Sequence, residues 1–491
     1  MLKAILKRMS CIRSILLLVL IVGGLVSVQA EEQWSEVRSP HFNILTDGGE
    51  QRGRDVVLQF EQMRSLFAQL FFKDQVDPSI PLQIVGLKNQ KQLSGYAPLF
   101  QGKPVDIAGF YLRSQDKNYI VLDLETHNRW EAVFHEYAHL ILDNNLPDAP
   151  AWFSEGFAQL CSTIIMSDKA AVVGRAPEGI LEIVRTQKLL PVYVLFNVDH
   201  SSPIYNDDHS SRTLFYAQSW LAVRYLWETH RMDAVRQYLK LIRQHIPVND
   251  AVKQAFGVEP AELDRALEAY SRAEIRASRL PLPEPSSHVS FSVAPVTALQ
   301  AAAALADLHA HQDDYRRQAI SEFQQVLEQD AENAIAQRGL GYALFSEHRV
   351  ETALPWLQKA ADRDAGDWLV HYYLATVMAQ RQDDADAPAI EREARIVTRL
   401  NPGLADGHGL LGFALMVQHK IAEAANSYAA ALRLKPESEA YALNLAELYI
   451  RQGKVGEARV LFSRLQNSQN FYVSAAARSH LEEQLSISAQ H

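Results

Sequence analysis

"HEYAHLILDNNLPDAPAWFSEGFAQL", residues 135–160, sets two histidines four apart with a glutamate after the first. On a helix, His135 and His139 share one face, so both imidazoles reach toward one point. Glu136 lies about 100° round from His135, which sets it beside that point rather than on it. The pair alone is a weak signal. With 17 histidines in 491 residues, a chain of this composition shows such a pattern by chance roughly three or four times in a hundred. A hydrolytic zinc site needs a third protein ligand and an open fourth position. The continuation offers that ligand. Asn144, Asn145 and Pro147 end the first helix, and Pro150 suits the start of a second, "AWFSEGFAQL". A short turn brings the second helix back antiparallel to the first. Glu155, sixteen residues after His139, then faces the two histidines, and Gly156 and Ala158 are small enough for the helices to pack closely there.

HEYAH followed by SEGFA resembles the gluzincin metallopeptidases, whose third zinc ligand is a glutamate in a second helix. The resemblance implies one Zn2+ held by His135, His139 and Glu155, with Glu136 as general base. The whole stretch from about 34 to 276 looks like the peptidase-MA-like domains of bacterial secreted proteins that carry tetratricopeptide repeats. "SPHFNILTD" (39–47), "AGFYL" (108–112), "HEYAHL", "WFSEGFA" and "FYAQSW" (215–220) carry that likeness. One departure is the connection of fifteen residues between His139 and Glu155, shorter than in the best-known gluzincins. The family uses a downstream Tyr or His to stabilise the oxyanion. Tyr216 is the candidate, with a plain core aromatic as its alternative, and Tyr205, His200 and His209 are rivals in a polar loop. Asp143, one turn beyond His139, either orients a ligand histidine by a hydrogen bond or is a solvated helix-end residue. By the same likeness the strand "DIAGFYL" (106–112) is an edge on which an extended peptide pairs.

The surrounding chain is organised in three parts. Before the motif, alternation predicts strands at 41–46 and 80–87 and a hairpin over 109–124 with "SQDKN" as its turn, and apolar spacing predicts a helix over 50–71. After it comes an apolar helix, 213–230, and two or three more to about residue 276. "RLPLPEPSSHVSFSVAP" (279–295) is rich in Pro and Ser and reads as a linker. Beyond it Ala319 and Ala353 are 34 apart, as are Ala424 and Ala458, and the 71-residue gap between the pairs is two periods with a three-residue surplus at "QRQDDADAPA". Leu411-Gly412, Leu415, Ala424, Tyr428, Ala431 and Pro436 sit at the small and apolar positions of a tetratricopeptide repeat, which this part resembles. Gly341, Ala375, Gly412 and Ala446 let the two helices of each unit approach.

The predicted fold class is therefore an α+β, zincin-like metallopeptidase domain (31–278), a linker (279–297) and an all-α tetratricopeptide-repeat solenoid of about five units (298–485). Residues 1–30 form a separate object. Lys3, Lys7, Arg8 and Arg13 precede the apolar run 14–26, and Val28 and Ala30 offer a cleavage site. This predicts a signal peptide on an exported, periplasmic or secreted bacterial protein, with an uncleaved anchor as the alternative. The run is short for a membrane span, which needs about 20 residues. A net charge of −10, falling to about −14 without the leader, argues against a nucleic-acid partner. Cleavage leaves Cys161 alone, so no intrachain disulfide forms. The expected activity is zinc-dependent peptide hydrolysis, with the repeats recruiting substrate or a partner protein. The alternative is a weakly catalytic or non-catalytic binding scaffold or envelope quality-control factor.

Overall fold

The computed structural model describes residues 33–488 apart from 71–79, 127–128, 147–148, 168, 200–201, 207–209, 245 and 283–288. The leader expectation lies outside the described residues. Among those described, no helix is long and apolar enough to cross a membrane.

The N-terminal half is built on a six-stranded mixed sheet in the order β11-β1-β2-β3-β7-β6. Its strands are β1 (Trp34–Arg38), β2 (Asn43–Thr46), β3 (Leu82–Leu87), β6 (Gly109–Leu112), β7 (Asn118–Asp123) and β11 (Ser292–Val296), and a two-stranded ribbon, β4 (Leu99–Phe100) and β5 (Lys103–Pro104), precedes β6. β2, β3 and β7 run parallel, and the other pairs are antiparallel. Both faces of the central strands β2, β3 and β7 are covered, so these read as nearly continuous apolar runs. Ile44, Ile84, Ile120 and Leu122 face α1 (Glu50–Leu70) and α3 (Arg129–Asn145). Leu45, Val85, Leu87, Tyr119 and Val121 face the other way.

The hairpin expected at 109–124 forms with β6 at the outer edge of the sheet. A short helix, α2 (Gln90–Leu93), bridges β3 and β4. After α3 come α4 (Ala151–Ser162), the strands β8 (Ile165–Met166) and β9 (Ala170–Val173), α5 (Ile180–Thr186), the one-turn helices α6 (Val192–Leu195) and α7 (Pro203–Asn206), and α8 (Ser210–Glu228). Three amphipathic helices, α9 (Met232–Arg243), α10 (Val248–Phe256) and α11 (Pro260–Arg272), complete this half.

The residues read as a linker differ from expectation. β10 (Ser278–Pro281) pairs with β9, and β11 pairs with β1 through the register Trp34↔Val296 to Arg38↔Ser292. The Pro and Ser content hid two strands. Both are edge strands, and an edge is where a proline costs no ladder hydrogen bond. The N-terminal sheets thus draw strands from the segment that leads into the repeats.

The C-terminal half is a stack of helix pairs: α12 (Ala298–Ala310) with α13 (Arg316–Gln329), α14 (Ala334–Ser346) with α15 (Val350–Arg363), α16 (Trp368–Gln380) with α17 (Ala387–Leu400), α18 (Ala405–Val417) with α19 (Ile421–Leu434) and α20 (Glu439–Arg451) with α21 (Val455–Leu465), closed by α22 (Phe471–Ser488). Ala319, Ala353, Ala424 and Ala458 are fully buried at the start of the second helices. A Cβ at Gly341 would lie 2.5 Å from Leu357, and one at Gly412 2.9 Å from the Tyr428 ring. These close approaches are why the period carries small residues. The surplus at 380–389 is a 3-10 turn, Asp384–Asp386.

The two halves share a core. Ala301, Leu305 and Leu308 of α12 pack on the sheet face opposite α3. A buried polar network crosses the same boundary. Asp307 accepts from Lys117 Nζ and from the Tyr119 hydroxyl, both at 2.8 Å, and from Arg338 Nη2 at 3.3 Å, and Arg338 bridges onward to Asp367. Each buried charge has an opposite partner, which is what makes its desolvation tolerable.

Candidate metal centre

α3 and α4 pack against each other, and His135, His139 and Glu155 meet where they do. Pro150 caps α4 at φ −57°, ψ 146°, a conformation that starts a helix without needing an N–H. Behind α4, the backbone of α8 is close. A Cβ on Gly156 would lie 2.3 Å from the Ser219 carbonyl oxygen. Glycine here lets α4 sit deep enough to present Glu155 to α3.

One ligand atom from each of the three residues lies within 4.8 Å of the others. His135 Nε2 and His139 Nε2 are 3.2 Å apart, and each is 3.6 Å from Glu155 Oε2. A tetrahedral ion with ligands at about 2.0–2.2 Å places neighbouring ligand atoms about 3.3–3.6 Å apart. The three separations therefore fit the edges around one small divalent cation, and two imidazoles with one carboxylate are a donor set that suits zinc. Burial pushes the Glu155 carboxyl up, but the two imidazoles outweigh it and hold the group well below the usual carboxylate range. Glu155 is thus anionic, as a ligand must be. Among the described residues no further His, Cys, Asp or Glu joins the cluster.

Glu136 behaves differently. Burial holds its carboxyl above the usual value, with the Glu155 charge adding to the rise and the two imidazoles opposing it. The same interactions set it beside the three-residue cluster, where a carboxylate can accept a proton.

His139 Nδ1 lies 3.0 Å from Ser154 Oγ. With Nδ1–H donating to that hydroxyl, Nε2 keeps its lone pair toward the cluster. The sequence reading missed Ser154. Its signal was adjacency, one residue before the third ligand on a helix facing the first. Asp143, for which that orienting role was one of two readings, has its side chain outside the described residues, as do Tyr205, His200 and His209. Tyr216 is half-buried on α8 against the main core, its ring 5.6 Å from that of Phe215. It sits one turn before Ser219, the residue against Gly156. Cys161 is fully buried, and burial raises its thiol well above the ordinary value, so it is a packing residue.

Tetratricopeptide-repeat family models match residues 303–367 and 415–489. No curated protein matches the chain. Solved structures similar to part of it include MamA (18% identity, 35% of this chain and 92% of that one, TM-score 0.28). Another is MamA from Desulfovibrio magneticus RS-1 (16%, 37% and 98%, TM-score 0.31). A third is YrrB, described as a TPR protein with an unusual peptide-binding site (17%, 36% and 90%, TM-score 0.33). Likeness this distant says nothing about ligands or partners. With the family matches and the helix pairs together, the C-terminal half of this chain is an array of tetratricopeptide repeats.

Proposed function

We propose that the chain is an exported zinc-dependent peptidase of the gluzincin type, fused to a repeat array that binds protein. The repeat half of this reading rests on the family matches, since such arrays form curved surfaces suited to peptides and proteins. The hydrolase half rests on one observation: the convergence of His135, His139 and Glu155 at separations that fit one cation, with Glu136 alongside. Zinc held by these three side chains would supply Lewis acidity toward a water molecule and a scissile carbonyl.

The protein's own groups do the rest. Glu136 takes the proton from the attacking water and holds it at its carboxylate. It then gives the proton to the departing amine nitrogen as the C–N bond breaks. Ser154 fixes the His139 ring. β6, at the free edge of the sheet, offers main-chain groups to an extended substrate. Tyr216 remains the proposed oxyanion donor. The N-terminal leader is read as a signal for export, which places the activity outside the cytoplasm.

A second reading has a specific basis. Both family matches fall in the repeats, which by themselves favour a protein-binding scaffold, and on that reading the cation site is structural. A structural zinc site closes its fourth position with another protein ligand, and the described cluster holds three. The test is metal analysis together with cleavage of casein or a peptide library by the full chain and by Glu136→Gln. The peptidase reading requires about one zinc per chain in both proteins and cleavage only in the first. Zinc in both with no Glu136-dependent cleavage leaves the scaffold.

A further inference from the structure

The tip of the β6–β7 hairpin enters the concave face of the array, which the first helices of successive repeats line. Asp116, at the tip, is 4% exposed. The Tyr373 hydroxyl donates to its Oδ2 at 2.5 Å, the Ser114 hydroxyl donates to Oδ1, and His311 Nε2 lies 3.5 Å from Oδ1. The recognising groups are themselves stacked. The His311 ring lies 4.4 Å from that of Tyr342 at an interplanar angle of 17°, and Tyr342 lies 4.9 Å from Tyr373. His311 caps the C-terminus of α12, and Tyr342 and Tyr373 stand on α14 and α16, so each of the first three repeats supplies one. Burial alone would raise the Asp116 carboxyl, yet the imidazole and the two hydroxyls hold it below its ordinary value. His311 and Tyr373 of the groove stabilise the charge together with the hairpin's own Ser114.

A buried anion costs several kcal/mol unless it is paired and hydrogen-bonded. A groove that only needed to cover an apolar hairpin would be apolar. This one sets a hydroxyl and an imidazole, held by aromatic stacking, around a single carboxylate on a tight turn. We infer that the concave face of the first three repeats is a receptor for a carboxylate presented on a tight turn, and that Asp116 is the ligand the chain itself supplies. An outside partner with an acid-tipped turn competes with the hairpin for this groove instead of entering an open one. The inference does not depend on the peptidase reading. It holds whether or not the cation site is catalytic.

The test uses the full chain and follows amide hydrogen exchange at residues 109–118. A tethered ligand has an effective concentration of the order of millimolar, so the probe is a cyclised peptide of residues 111–119, YLRSQDKNY, at about 5–10 mM. Tyr373→Phe and His311→Ala are expected to raise exchange in the hairpin about tenfold or more, because each loosens the groove's hold on the carboxylate. The acidic peptide is expected to raise it further by displacing the hairpin, and the same peptide carrying the D116N change is not. Equal exchange in wild type and Tyr373→Phe overturns the inference. So do two peptides that act alike, or an acidic peptide without effect on Tyr373→Phe. Tyr373→Phe removes one oxygen and keeps the ring, so it decides the matter even if His311→Ala does not fold. Unchanged zinc content in the variants separates this outcome from any failure at the metal centre.

Discussion

Histidine meets glutamate in both halves of this molecule, in two different arrangements. In the array His371 Nδ1 lies 2.6 Å from Glu393 Oε2, and His309 Nδ1 lies 2.9 Å from Glu322 Oε2. Each imidazole there takes one carboxylate as a hydrogen-bond partner. Between α3 and α4, two imidazole nitrogens approach one carboxylate oxygen at 3.6 Å and each other at 3.2 Å. The first arrangement pairs one imidazole nitrogen with one carboxylate. The second brings three ligand-type atoms to one point, at separations that fit the edges around one small divalent cation. Residue types alone do not separate the two cases, but distances and the number of converging atoms do.

The comparison breaks most visibly through metal content. His135→Ala or Glu155→Ala is expected to abolish stoichiometric zinc binding, while His371→Ala leaves it unchanged; atomic absorption on the purified proteins reads the difference. If His371→Ala and His135→Ala lost metal equally, the distinction would be void. Next in size, Glu136→Gln is expected to lower the rate of peptide hydrolysis by about 10²–10⁴-fold with zinc retained, the range of a lost general base. Ser154→Ala should weaken zinc affinity about 10–100-fold, as loss of a group that orients a ligand does. A chelator competition titration measures it, and an unchanged affinity would remove Ser154 from the site.

Two smaller effects compare how the halves are packed. Gly156→Ala drives a Cβ into the Ser219 backbone, whereas Gly412→Ala meets the Tyr428 ring, which can shift. The expected cost is about 1–3 kcal/mol for Gly156→Ala and less for Gly412→Ala, read from denaturant midpoints. Finally, burial raises the Glu393 and Glu322 carboxyls, but His371 with Arg392, and His309 with Gln318, bring them below the ordinary value. A depressed carboxylate adds stability that is complete above its unfolded-state pKa, about 4.3, and is lost as pH falls through its folded value. The array should therefore lose stability on acidification below about pH 4, and His371→Ala should flatten that slope.

Much of this was legible in the chain. The 34-residue recurrence named the repeats because helix-on-helix contact demands a small residue at the same place in every unit, and Gly341 and Gly412 meet that demand against Leu357 and Tyr428. The convergence of His135, His139 and Glu155 was legible because helical spacing and one turn fix their relative positions locally. The two strands in 278–296 were not, because proline at a sheet edge reads as linker until the neighbouring strand is known. Ser154 was not, because its role exists only when α4 lies across α3.

The sequence by itself determined the local objects: the helix with two histidines on one face, the helix carrying Glu155, and the period of the array. Their relation was decided by the tertiary structure. The expectation of two domains on a linker gave way to one sheet covered on one face by α1 and α3 and on the other by the first repeat helix, with Asp116 set into the repeat groove. The reason is physical. Periodicity records what a residue owes to its near neighbours in the chain, whereas Lys117 with Asp307, or Asp116 with Tyr373, are separated by 190 and 257 positions. Such pairs are fixed only when burial makes each polar group require the other.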